Sequence, residues 1–222
     1  MNNATYSSLL ELAAGLVILS AFVTLWRRSL TAIVRALCVQ GVALGLVALV
    51  LGLHRRDVVL VTVGCLVIAA KGAVIPTLLR RVLANDANDA NNRETSPLVN
   101  VPASLVGAGA LTFLAYGATR SVVALAPTSA GRLIPLGLAT LLIGFFSMVI
   151  RRKAASQIVG LLLVDNGIAL VAFLATAGVP LLVELGASLD VLLVVVVLRV
   201  LAVQLWSKFA VLDLDQLREL HD

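Results

Sequence analysis

Three carboxylic acids and one amine lie inside stretches that are otherwise apolar. Asp165, Glu184 and Asp190 fall within Ile158 to Leu205, and Lys71 sits in Ala69-Ala70-Lys71-Gly72. An ionised group at the middle of a bilayer costs about 2.5 to 3.5 kcal/mol even on lenient insertion scales, so groups kept there pair with one another or carry protons. Lys71 has the opposite sign and similar depth, which makes it the natural partner of Asp165 or Asp190, as a structural ion pair or as the switchable base of a proton path. At 1.5 Å per residue Asp165 lies roughly 10 Å below the basic end of its run, too deep for a short side chain to reach the headgroups. Its alternatives are a proton relay and an acid tied to a base or an Asn on a neighbouring helix. Glu184 follows Pro180 closely, where an interfacial side chain is the plainer reading. Asp190 is turned about 120° from Glu184 at about 100° per residue, so the two share no face of a regular helix.

These groups need hydrophobic helices to hold them. The chain is 60% apolar and 13% charged, with a mean hydropathy of +1.06, which is outside the range of a soluble domain. Apolar runs near 20 residues mark an all-α polytopic membrane protein; the net charge of +5 then reflects orientation and says nothing about nucleic acid, which is not expected as a partner. About seven spans are expected. They run from Ser8 to Trp26, Leu30 to Leu53, Val58 to Leu79, Pro102 to Thr119 and Leu133 to Ile150, with two more in Ile158 to Leu205 split at Gly178-Val179-Pro180. Arg27, Arg28, Arg80, Arg81, Arg93, Arg151, Arg152, Lys153 and Lys208 fall on one side, against Arg55, Arg56, Arg120 and Arg132 on the other. The richer side is expected to be cytoplasmic, which puts the N-terminus outside and the C-terminus inside, in the cytoplasmic (inner) membrane.

A weak internal repeat divides the chain. Trp26-Arg27-Arg28 matches Ile150-Arg151-Arg152, Gln40-Gly41-Val42-Ala43-Leu44 matches Asn166-Gly167-Ile168-Ala169-Leu170, and Leu60-Val61-Thr62 matches Leu182-Val183-Glu184. The reading is a three-helix unit over 1–81, a polar mobile loop over 82–101, a linking helix and turn over 102–132, a second three-helix unit over 133–206 parallel to the first, and a tail over 207–222. Gln40 and Asn166 are the supporting polar residues. Arg35 and Arg199 read as arginines that snorkel to the interface, and Glu11 needs no function. Cys38 and Cys65 have no second cysteine or histidine at ligand spacing and read as packing residues. No nucleophile elbow, phosphate loop, dinucleotide fingerprint or metal-ligand spacing occurs, so catalytic residues, cofactors and metals are not expected.

The unit from Leu133 to Trp206 resembles the three-helix K subunit of respiratory complex I and the C subunit of multi-subunit sodium/proton antiporters, through Val149-Ile150-Arg151-Arg152, Gly160-Leu161 and Asn166. Leu162 stands where complex I chains of this type carry a glutamate, and Asp165 lies one turn further on. The whole chain resembles component E of group-four nickel-iron hydrogenases, of the hydrogenase-four and formate hydrogenlyase type. The resemblance rests on Lys71 with Ile75-Pro76 and Arg80-Arg81, on Asp165-Asn166 before Gly167, and on Glu184-Leu185-Gly186 with Asp190. It implies a non-catalytic membrane subunit beside antiporter-like subunits, with hydrogenase-like iron–sulfur subunits on the cytoplasmic side. Lys71, Asp165, Glu184 and Asp190 would then line a path for protons or sodium. A structural scaffold whose charges only lock helices together, and an independent small-solute transporter, are the competing readings.

Overall fold

A computed structural model of the chain describes residues 2–77, 79, 100–125, 127–151 and 154–176. Among them no strand occurs, and six helices are long and apolar enough to cross a membrane. The chain is a multi-pass membrane protein.

Each span of the sequence reading that falls on described residues is a helix, with ends moved by a few residues. Helix α1 is Asn3–Trp26, α2 is Leu30–Arg55, and α3 begins as Val58–Val67 and continues through Ile68–Val74 in the wider π form. Helix α4 is Val101–Ala118, α5 is Arg120–Leu125, α6 is Ile134–Ile150 and α7 is Ala154–Thr176. The short α5 has no counterpart in the sequence reading, because six residues are too few to form an apolar period. The seventh expected span, with Glu184, Asp190, Arg199 and the tail, lies outside the described residues, as does most of the polar loop.

Local chemistry fixes the turns. Arg56 takes a left-handed conformation (φ 59°) that ends α2, and the Asp57 carboxylate accepts from Val59 N and Leu60 N at 2.9 and 3.2 Å to cap α3. Pro102 and Pro135 occupy the first turns of α4 and α6, where a missing N–H costs nothing. The Thr128 hydroxyl accepts from Gly131 N at 2.9 Å and shapes the turn into α6.

Small residues set which helices meet. A Cβ built on Gly45 would lie 2.8 Å from the Gly64 carbonyl oxygen, and one on Gly144 would lie 3.0 Å from that of Gly160. Helices α2 and α3, and likewise α6 and α7, therefore touch backbone to backbone, the form of association that membrane helices use when water does not drive them together. Helix α2 lies against α1, α3 and α7, while α4 lies against α6 and α1. Leu10 of α1, Leu51 of α2, Leu60 of α3, Ile134 of α6 and Leu174 of α7 share one apolar cluster. That cluster joins the starts of α1, α3 and α6 to the ends of α2 and α7, so successive helices alternate in direction. Outward faces remain apolar, as at Val58, Val106, Phe113 and Val149, each more than 70% exposed. In a bilayer these side chains face lipid.

Candidate functional site

The middle of the bundle holds two polar links between helices that are far apart in sequence. The Lys71 ammonium of α3 contacts the Asp165 carboxylate of α7, Nζ to Oδ2, at 2.5 Å. Only 6% of Lys71 and 5% of Asp165 is exposed. Beside them, Asn166 Nδ2 donates to Gln40 Oε1 at 2.9 Å, and Gln40 Nε2 donates to the Val17 carbonyl at 3.1 Å. The four polar residues singled out in this part of the chain thus meet in one layer that ties α1, α2, α3 and α7. Gln40 and Asn166, matched by the internal repeat, bond directly to each other.

Asp165 stands at the centre of its 23-residue helix. Because α7 begins at Ala154, the acid is about 16 Å from that end, deeper than the 10 Å expected from the apolar run alone. Lys71 is the middle residue of the π segment Ile68–Val74. Pro76 explains the segment: it gives no N–H and its ring crowds the carbonyl four residues earlier, so the preceding turn widens, and Ile75 N donates to Ala70 O across five residues. Against this turn lies Gly41, where an added Cβ would sit 2.5 Å from the Lys71 carbonyl carbon and oxygen. Bare backbone at 41 lets α2 press on α3 where the lysine leaves the helix.

A small cavity of about 10 Å³ adjoins the pair, room for roughly one water. Lys71 and Asn166 provide its polar wall, and Leu37, Ile75, Pro76, Leu79 and Leu162 the rest. Leu162 therefore faces the lysine from one turn before Asp165.

One buried charge escaped the sequence reading. Arg151, counted there among the basic residues that set orientation, is only 5% exposed, and its Nη2 donates to the Thr24 carbonyl at 2.6 Å in the last turn of α1. A cation at a helix C-terminus meets the negative end of the helix dipole, which explains the attraction. Nothing in the sequence separates Arg151 from its neighbours at the end of an apolar run. Arg35 and Glu11 are exposed on α2 and α1, and Cys65 is exposed as well, so it faces lipid and does not pack the interior as expected. Among the described residues no group of three His, Cys, Asp or Glu is placed to hold a metal ion.

No protein-family model and no solved structure matches the chain. Hydrogenase-4 component E of Escherichia coli K12 is 33% identical over 87 residues, which is 39% of this chain and 40% of that protein. The uncharacterized protein Rv0085 of Mycobacterium tuberculosis is 46% identical over 222 residues, covering 100% of both chains. At that identity, along the full length of both, the chain belongs to the family of the mycobacterial protein.

Proposed function

We propose that this chain is a non-catalytic integral membrane subunit of a hydrogenase-like, complex I-related redox complex, and that its Lys71–Asp165 pair lies on the path by which protons or sodium are moved. The observation that carries the reading is the ion pair itself at the middle of the bundle. Replacing a buried ion pair by apolar side chains of similar volume is often neutral or stabilising, so stability gives little reason to keep one, whereas intramembrane acids mark ion pathways. The partial similarity to hydrogenase-4 component E supplies the kind of complex. Antiporter-like membrane subunits and peripheral iron–sulfur subunits are then its partners. The outside N-terminus, the two parallel three-helix units and the likeness of the second unit to the complex I K subunit belong to the same reading, with Glu184 and Asp190 extending the polar axis.

The direct test is Asp165→Asn in the assembled complex, with hydrogen as electron donor and proton uptake followed in inverted native vesicles. The reading expects redox turnover to persist while proton uptake falls by about tenfold or more. Unchanged uptake would remove Asp165 from the path.

The directness of the Lys71–Asp165 contact favours one second reading, a scaffold in which the pair only locks α3 to α7. That reading expects the exchanged pair, Lys71→Asp with Asp165→Lys, to restore both assembly and coupling. A proton path has an asymmetric order of donors and acceptors and would not recover its coupling.

A further inference from the structure

The two halves of the bundle differ in what they bury on either side of the central layer. Toward the end marked by Leu10, Leu51, Leu60 and Leu174 the interior is the apolar cluster. Thr119 on α4 and Thr140 on α6 are buried on that side too, but each hydroxyl is satisfied within its own helix, bonding back to the Ala115 and Leu136 carbonyls at 2.7 and 2.8 Å. Toward the other end the interior of α1 and α6 carries hydroxyls: Ser20 and Thr24 on α1 and Ser147 on α6, with Arg151 closing the row. Val17, Ser20 and Thr24 recur at helical spacing on one face of α1. The first gives its carbonyl to Gln40 and the last gives its carbonyl to Arg151.

Register places these groups in steps. Arg151 at Thr24 and Ile134 in the cluster with Leu10 set α6 parallel to α1, so one turn back from each, Ser147 stands level with Ser20. Helices α6 and α7 are antiparallel, with Gly144 against Val164, Met148 against Gly160 and Leu141 against Gly167. Ser147 therefore lies about one turn, roughly 5 Å, from the level of Asp165 on the side of Arg151. Its hydroxyl is fully buried with no hydrogen-bond partner among the described residues. Buried hydroxyls ordinarily find a partner, and an isolated one marks a place where water belongs. The cavity beside Lys71 extends the same way. Leu37, Pro76, Leu79 and Leu162, which line it, all lie on the Arg151 side of the central layer.

From these placements we infer that water reaches the Lys71–Asp165 pair from the Arg151 end of the bundle only, past Ser147 and Ser20, and that the apolar cluster seals the other side. This deepens the proposed function and rests on it for its significance, since a one-sided entry is half of what a proton path needs. The route itself is a property of the bundle, whatever the pair does.

The test uses the whole chain in native membrane vesicles of both orientations. Cys38→Ala and Cys65→Ala remove the native thiols, and single cysteines replace Ser147, Ser20, Leu44 or Leu170. Silver ion is the probe, because it is small, charged and reacts with a thiol only where water carries it. Protection of each cysteine from a later maleimide mass tag reads out the reaction. Cysteines at 147 and 20 are expected to react at least about tenfold faster than those at 44 and 170, and from one vesicle orientation only. Equal rates at the four positions, or faster reaction at 44 and 170, would overturn the inference. Ser147→Cys is nearly isosteric, and Ser147→Leu gives a second reading in the assembled complex. It should cut proton uptake several-fold while Ser147→Ala does not, and equal uptake in the two would count against the route. Silver protection does not depend on coupling. A silent Asp165→Asn variant would sink the proposed function and leave the route standing, whereas an uncoupled Asp165→Asn with no protection at 147 would do the reverse.

Discussion

At the scale of the residue, a lysine and an acid are buried against each other in the middle of the bundle, out of reach of the headgroups. Removing one member of a buried pair leaves the other uncompensated, which costs about 3 to 5 kcal/mol, while removing both with apolar replacements is close to neutral. Lys71→Met alone should therefore lower the thermal midpoint of the solubilised complex clearly, and Lys71→Met with Asp165→Leu should recover most of the loss. Size-exclusion recovery after graded heating measures it. The same logic at smaller magnitude applies to Asn166→Leu. It breaks the bond to Gln40, where interhelical hydrogen bonds of this kind average about 0.6 kcal/mol, so a shift near the limit of detection is expected. Lys71, Asp165, Gln40 and Asn166 were legible in the sequence because polar groups stand out against an apolar run, and the bilayer turns that contrast into a constraint. Arg151 was not, because an arginine at the end of a run is ordinarily interfacial, and only the position of α1 shows that it is covered.

At the scale of the element, α3 is shaped to deliver its lysine. The spans themselves could be read from length and hydropathy, since a helix that crosses a bilayer needs about 20 apolar residues. The π segment could not. It arises from the meeting of Pro76, which is visible in the sequence, with the pressure of α2 at Gly41, which is not. Gly41→Val puts methyls where the Lys71 carbonyl already stands and should destabilise by about 1 to 3 kcal/mol, the usual cost of overpacking. Gly15→Val, with nothing within 4 Å of its Cβ, is the control and should change stability far less. A comparable loss in both variants, measured by the same heating assay, would contradict the close approach of α2 to α3.

At the scale of the molecule, the described bundle is apolar on its outside and holds its polar links at its centre, the pattern of a chain that lives in a membrane. Much of its lipid-facing surface lies on α3 and α4, which are the least covered of the six spans. Those faces are where neighbouring subunits of the proposed complex have room to dock. The unequal distribution of Lys and Arg between the two sides predicts that reporter fusions in the 84–97 segment read as cytoplasmic, and a periplasmic reading there would reverse the proposed orientation. Membership in such a complex is decided by isolating the tagged chain from its native membrane in mild detergent and identifying the co-purifying proteins by mass. The account predicts that antiporter-like and hydrogenase-like subunits come with it in fixed proportion. Recovery of the chain alone, folded and intact, would contradict membership in such a complex.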